Sequence, residues 1–459
     1  MPYISHTSEE VEEMLSVIGA KRIDDLFDEI PQELRNSDLD GIPLSQSEMA
    51  VQRLLSEKAM QDGMPLCFAG GGAYEHHIPA AVWEIATRGE FYSAYTPYQA
   101  EASQGTLQVI YEFQSMIASL TAMDVSNASL YDGASGLAEA VLMAVRANRK
   151  AKSKRILMPA SVSPVYRQVV ETIVKNQGIT LELIDFETAS GKIDIAKLSE
   201  QTEAFAALVI PQPNYFGCLE EVHQLTDWAH EQGGLVIGLV NPIALALVEA
   251  PGNWGSNGAD IAVGEGQPLG IPMSSGGPFI GFVACKQKLV RQLPGRIVGR
   301  TVDLDGTPGF SLTLQAREQH IRRSKATSNI CTNQGLMATA VTLHLSFLGR
   351  DGLQKVAAAC IDNTSKLMSL LRKNTEIKFP FSQSVFHEFV IALDVPIDKV
   401  LNELAYDDIV GGINISDSFS DQQSNLMLIC VTETKTEDEL EYFSKMLIEA
   451  IVNIKEESV

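Results

Sequence analysis

From residue 125 to residue 285 short apolar runs alternate with longer runs of helical period. Segments 125–131, 156–158, 180–186, 206–210, 235–240, 261–263 and 279–284 read as strands. Segments 133–150, 162–177 and 219–231 read as helices between them, the last stopped by Gly233-Gly234. Strands separated by helices imply right-handed crossovers and a largely parallel, buried sheet. The expected fold class is therefore α/β.

The flanks differ. Residues 1–63 read as a polar helical arm with few apolar residues for a core of its own. Thr7 with Glu10 makes a capping box for a helix ending near Gly19, and Ser45 with Glu48 makes another for a helix to about Asp62, stopped by Gly63. Residues 64–330 form the expected large α/β domain, entered through a glycine turn at Gly70-Gly71-Gly72 and an amphipathic helix over 105–123. Residues 331–459 change character. Helical patterns at 334–348 and 353–371, strands at 386–392, 409–415 and 426–431, and a final helix at 436–454 predict a smaller α+β domain.

Charge and composition exclude several classes of function. The net charge of -23 argues against nucleic acid and anionic membrane as partners. No run of 18 apolar residues occurs, and residues 1–13 lack the charged-then-apolar pattern of a signal peptide, so a cytoplasmic protein is expected. The six cysteines form no C-x-x-C pair and read as reduced thiols. The eight histidines show no ligand spacing, so no metal site is expected.

Three stretches carry possible chemistry. Asp132-Gly133-Ala134-Ser135-Gly136 opens a helix directly after a strand. Free amides, a hydroxyl and the helix dipole make an anion cradle at Gly133, Ser135 and Gly136; the plainer alternative is a simple helix cap. Phe91-Tyr92-Ser93-Ala94-Tyr95-Thr96-Pro97-Tyr98-Gln99 packs four aromatics into nine residues around a helix-breaking proline, either as core or as the wall of a small-ligand pocket. Arg317-Glu318-Gln319-His320-Ile321-Arg322-Arg323-Ser324-Lys325 is the densest basic segment of an acidic chain, and suits a carboxylate, a phosphate or an acidic partner.

This organisation resembles that of enzymes dependent on pyridoxal phosphate (PLP), where a lysine ahead of a glycine-rich turn holds the cofactor as a Schiff base. Residues 198–285 contain no lysine and no arginine, and the expected place reads Gly264-Glu265-Gly266-Gln267-Pro268-Leu269-Gly270. The acid that would keep the pyridine nitrogen protonated is also missing, for the strand at 235–240 leads into the neutral Asn241.

Specific motifs sharpen the resemblance. They are Tyr95-Thr96-Pro97-Tyr98-Gln99, Ser103-Gln104-Gly105, Asn127-Ala128-Ser129-Leu130-Tyr131-Asp132, Gly276-Gly277-Pro278 and Pro294-Gly295-Arg296-Ile297-Val298-Gly299. The basic segment follows, continuing through Ala326-Thr327-Ser328-Asn329-Ile330-Cys331-Thr332. With these the chain resembles glycine decarboxylase, the P-protein of the glycine cleavage system, and within that family the first subunit of the two-subunit bacterial form. The resemblance implies fold type I, with a PLP-dependent-transferase-like large domain, a smaller C-terminal α+β domain and a helical N-terminal arm. It implies that a second subunit carries PLP covalently, that the two chains form an α2β2 heterotetramer, and that this chain alone is inactive. In the family, glycine loses its carboxyl as CO2 and its aminomethyl group passes to the lipoyl arm of H-protein, whose disulfide is reduced. By similarity, Tyr95, Tyr98, Gln99 and Gln104 would line the shared pocket, and Arg322, Arg323 and Lys325 would lie near substrate, cofactor or partner. The cradle at Gly133, Ser135 and Gly136 would be a relic. Two alternatives stay open: a self-sufficient PLP enzyme using another lysine, such as Lys286 or Lys325, and a non-catalytic regulatory or scaffold subunit.

Overall fold

The alternating stretch forms a seven-stranded sheet in the computed structural model of the chain, which describes residues 5–35, 41–91, 95–201, 203–274, 276–328, 330, 332–416 and 425–456. The strands are β1 (Val125–Ser126), β2 (Arg155–Pro159), β3 (Thr180–Ile184), β4 (Ala207–Gln212), β5 (Leu235–Val240), β6 (Ile261–Glu265) and β7 (Gly281–Cys285). Their order is β1-β7-β6-β5-β4-β2-β3. From β6 through β5, β4 and β2 to β3 all neighbours are parallel. β7 runs antiparallel to both β6 and β1.

The strands read as apolar runs because both faces of the sheet are covered. Leu208, Ile210, Val236, Val240, Ala262 and Phe282 point into one core, whereas Val209, Ile237, Ile261, Val263 and Val283 point into another. Alternate residues of a strand face opposite ways, so each run must be apolar at every position to serve two cores. Full burial of such a side chain contributes about 1.5–3 kcal/mol.

Helices α1 (Gln104–Thr121), α2 (Gly133–Ala147), α3 (Pro164–Val174) and α4 (Val222–Glu231) flank the sheet. α2 buries eleven of its fifteen residues, among them Gly133, Ala134, Gly136, Ala138 and Ala140, so its small side chains bring the helix close onto the strands. β1 is shorter than the run at 125–131 suggests. Asn127 brackets its neighbours through its side chain, donating to Pro294 O (3.2 Å) and accepting from Val283 N (3.3 Å), while Ser129 adopts φ +125° and accepts from Gln334 N (3.1 Å). Asn127 N still donates to Val283 O (3.1 Å), but beyond it side-chain bonds interrupt the ladder, which resumes as the single bridge Leu130–Gly281.

One hairpin went unread in the sequence. β8 (Ile297–Val302) pairs antiparallel with β9 (Pro308–Thr313) across a turn in which Asp303 Oδ1 accepts from Asp305 N (2.9 Å) and Thr307 N (2.8 Å), and Gly306 takes φ +84°. The Asp305-Gly306 dipeptide is the usual signature of such a turn.

The two helical patterns near the start of the last third join as α5 (Gly335–Leu371), broken at Gly349, where φ is +57°. Beyond it a three-stranded antiparallel sheet sets Leu426–Cys430 between Glu388–Ala392 and Ile413–Asn414. Phe389, Ile391 and Ile429 of that sheet pack with Leu367 and Leu371 of α5 and with Leu440, Phe443 and Leu447 of the last helix, Glu437–Glu456.

Residues Met1–Met64 form a compact unit distinct from Pro65–Val459. Thr7 caps Ser8–Ile18 as expected, with Thr7 N donating to Glu10 Oε2 (2.7 Å) and Glu10 N to Thr7 Oγ1 (3.3 Å); Gly19 closes the helix at φ +78°. The second helix, Glu48–Gln61, is capped by Ser47 rather than Ser45. Ser47 directly precedes the first helical residue, which places its hydroxyl 3.4 Å from Ala50 N, whereas Ser45 lies two residues further out. Neither helix buries a side chain. No helix among the described residues is long and apolar enough to cross a membrane.

Candidate functional site

A cleft opens at the carboxyl ends of β4, β5 and β6, the position where open α/β sheets bind ligands. Its wall includes Tyr166, Tyr215, Asn241, Glu265, His387 and Glu388. Among the described residues, no lysine lines it. Lys286 instead donates to Gly258 O (2.9 Å) and lies 3.5 Å from Asp260, while Lys325 is exposed.

The groups facing the cleft do not suit PLP. The N-terminus of α2 is capped reciprocally by Asp132 and Ser135, with Ser135 N donating to Asp132 Oδ1 (2.7 Å). Another cradle amide, Gly133 N, donates to Glu265 Oε2 at 2.8 Å. Glu265 Oε1 accepts in turn from Gln267 N (2.9 Å) and Ile280 N (3.3 Å). An internal carboxylate thus takes the Gly133 amide, one of the cradle donors that a phosphate would use. Burial pushes Glu265 up to about 7, against the pull of those amides.

The pyridine end is equally changed. Asn241 Oδ1 accepts from Ile243 N (2.9 Å) and Ala244 N (3.3 Å), which turns its amide nitrogen toward His387 Nε2 at 3.0 Å. Burial, with His76 adding to it, pushes His387 down to about 3, so the ring is neutral and its Nε2 accepts. Position 241 therefore needs a donor, which asparagine has and an ionised aspartate lacks. Glu388 completes the floor: it accepts from Gly71 N (2.6 Å) and Tyr74 Oη (2.8 Å), and burial raises it to about 7.

Beside the cleft His76 Nδ1 lies 2.7 Å from Glu433 Oε2, and Cys360 Sγ lies 3.3 Å from the same oxygen. Glu433 Oε1 accepts from His77 N at 2.8 Å, so both oxygens are held by protein donors. Burial raises Glu433, but the hydrogen bond and charge of His76 bring it down to about 2.

The remaining predicted residues do not line this cleft. Tyr98 Oη accepts from Arg296 Nη2 (3.1 Å), the guanidinium stands 5.3 Å from the Tyr98 ring centre, and the His320 ring packs edge-on at 5.5 Å. Arg296 is only 4% exposed, and the carboxylate paired with it among the described residues, Glu318, lies 3.8 Å from Nε. Burial raises Glu318, and Arg296 pulls it back. Arg317 pins the basic segment by donating to Leu293 O and Gly295 O. Gln104 clamps the hairpin, donating to Phe310 O and accepting from Phe310 N, both at 2.9 Å. Tyr95 is 90% exposed, and Gln99, Arg322, Arg323 and Lys325 are exposed as well. Arg322 Nε donates to Ala316 O (3.0 Å), and Arg323 adopts φ +53°. Residues 92–94, Asn329 and Cys331 lie outside the described residues.

Sequence reasoning singled out Tyr98 but not the buried Arg296–Glu318 pair beneath it, although both stand in motifs it had marked. It noted that the stretch Gly264–Gly270 lacks a lysine but did not see that Glu265 within it reaches α2.

The fold and the cleft place the chain among proteins of PLP fold type I. At the level of fold alone it matches a sphingosine-1-phosphate lyase of Burkholderia pseudomallei (TM-score 0.67, 15% identity, 93% and 96% of the two chains). It likewise matches a glutamate decarboxylase of Lactobacillus brevis (TM-score 0.69, 13% identity, 92% and 97%). A solved glycine decarboxylase (P-protein) of the glycine cleavage system, in inhibitor-bound form, is much nearer: TM-score 0.87 and 39% identity over 98% of this chain and 100% of that one. The family model described as glycine cleavage system P-protein matches residues 1–447. Curated relatives from Nitrosomonas europaea and Nitrosospira multiformis, each called probable glycine dehydrogenase (decarboxylating) subunit 1, are both 59% identical over 452 and 454 residues, covering 98–99% of this chain and 99–100% of theirs. The chain belongs to the glycine cleavage system P-protein family.

Proposed function

We propose that this chain is the half of a glycine decarboxylase that carries no cofactor, and that it works only with a second, PLP-bearing subunit. Together the two release the carboxyl of glycine as CO2 and pass its aminomethyl group to the lipoyl arm of H-protein. PLP on the partner supplies the electron sink for the bond that breaks between the α-carbon and the carboxylate. The observation that carries this reading is the state of the cleft, where Glu265 fills the anion cradle and Asn241 faces a neutral histidine. The curated relatives are called subunit 1, which implies a second subunit.

On this reading the outer corner of the large domain faces the partner's pocket. Arg296 and His320 fix the Tyr98 ring, leaving its edge toward the partner, and Gln104 holds the hairpin in place. Tyr95, Gln99, Arg322, Arg323 and Lys325 are exposed and available to the partner, to glycine's carboxylate or to the cofactor's phosphate. An α2β2 assembly follows if each of two such pairs closes one site. We further propose the working division as an arm at 1–63, the cleft-bearing domain at 64–330 and a small domain at 331–459.

Co-expression with a PLP-bearing candidate, size-exclusion chromatography and a glycine–CO2 exchange assay test the proposal. Exchange is expected from the mixture and from neither chain alone. Borohydride trapping of PLP on a lysine of this isolated chain would overturn it, as would a stable complex with no exchange.

A further inference from the structure

The Glu265 carboxylate has the geometry of a bound ligand. Its donors come from three separate segments: Gly133 at the start of the fifteen-residue helix α2, Gln267 in the loop after β6, and Ile280 just before β7. Both oxygens only accept, which is the pattern of an ionised group. The side chain is 7% exposed and held by its surroundings. Gln267 Nε2 donates to Tyr74 O (2.9 Å) and Ile271 O (2.7 Å) while Tyr74 N donates to Gln267 Oε1 (2.8 Å), so the loop carrying Glu265 is fastened on both sides. A Cβ at Gly266 would stand 2.8 Å from Ile280 Cγ2, and one at Gly133 would stand 2.6 Å from the Tyr166 hydroxyl. The backbone on both sides of the contact is thus closely packed, and three amides and a fastened loop hold the carboxylate at the edge of the cleft.

We propose that Glu265 is a built-in occupant of the phosphate cradle, so that this chain excludes phosphorylated ligands from its cleft by occupation and not only by lack of a lysine. A phosphate entering the cradle would have to displace the carboxylate from the Gly133 amide and then sit against a like charge. A lysine restored after β6 would therefore gain no phosphate anchor. The inference deepens the proposed function, resting on its assignment of the cofactor to the partner, and is separable from it by experiment.

The test uses the full chain at pH 8, with PLP, pyridoxal and inorganic phosphate as probes of tryptophan and tyrosine fluorescence. Wild type is expected to show no saturable, phosphate-competed PLP binding. Glu265→Ala empties the cradle and is expected to bind PLP about tenfold tighter or more than wild type, in competition with inorganic phosphate, with no such gain for pyridoxal. Glu265→Gln keeps the side-chain size and is expected to show a smaller gain in the same direction. Folded variants without a phosphate-dependent gain overturn the inference and leave the two-subunit function standing, provided that glycine–CO2 exchange persists on mixing with the partner. PLP trapped on a lysine of wild type overturns both. If neither variant folds, amide exchange in wild type decides: slow exchange at Gly133, Gln267 and Ile280 supports the occupied cradle, and fast exchange at all three refutes it.

Discussion

Replacing Glu318 with glutamine tests the corner that holds Tyr98. The Arg296 and Glu318 side chains are 5% and 8% exposed, and Arg296 Nε has no hydrogen-bond acceptor, so the carboxylate 3.8 Å away supplies its compensation by charge alone. At an effective dielectric near 20 a pair at this distance attracts by about 4 kcal/mol. Glutamine keeps the shape and removes the charge. Tyr98 is 52% exposed, which gives water a route to the guanidinium and returns part of the loss. The expected net destabilisation is about 2–3 kcal/mol, just below the range for breaking a fully buried pair. Arg88–Glu90, with both side chains 62% exposed, sets the other limit, and Glu90→Gln is expected to leave the urea midpoint essentially unchanged. Urea midpoints of the isolated chain measure both, and a cycle with Arg296→Met isolates the coupling. Stability of Glu318→Gln within about 0.5 kcal/mol of wild type would refute the pairing, since that is the scatter of ordinary surface changes.

Further outcomes are expected. Glu265 is pushed up to about 7 from 4.5 by burial, so the folded state keeps its proton longer than the unfolded chain; that stabilisation is complete below 4.5 and is lost as pH rises through 7. Wild type should lose about 3 kcal/mol more than Glu265→Gln between pH 4.5 and 8, read from urea midpoints; parallel pH profiles would contradict the shift. Gly217→Ala places a Cβ 1.8 Å from Glu388 O at φ +81°, so a loss of about 3 kcal/mol or more in thermal or urea unfolding is expected, and a neutral outcome would disprove that close approach. Tyr98→Phe removes a half-exposed acceptor from Arg296 and should cost about 1 kcal/mol in stability. Both Tyr98→Phe and the exposed Arg323→Ala should lower exchange by the reconstituted complex while leaving this chain folded; normal turnover in both would remove that corner from the shared site.

Local rules carried much of the fold. Thr7 and Glu10 cap a helix because three residues separate them, and Gly349 breaks α5 between two patterns that already read as separate helices. Apolar runs gave the central strands because two cores demand every position. Reading failed where distant side chains overrode local preference. β1 stops at Ser126 because Asn127 and Ser129 bind residues more than 150 positions away. The site divided in the same way. The missing lysine and the neutral Asn241 were visible as residue types, whereas the Glu265 contact spans 132 positions and appears only once β6 and α2 are adjacent. The pairing of the Gln104 amide with the Phe310 backbone was likewise invisible, because it depends on a hairpin not foreseen in the sequence.

The filled cradle also bears on whether such a chain can regain independence. A subunit that had lost only its lysine would stand one substitution from recovery. Here three changes are needed together: a lysine after β6, an acid at Asn241 and removal of Glu265 from the Gly133 amide. The acid alone would set a charge against a buried neutral histidine, and removing Glu265 alone would strip three amides of their acceptor. Each change taken alone therefore leaves the cofactor site incomplete.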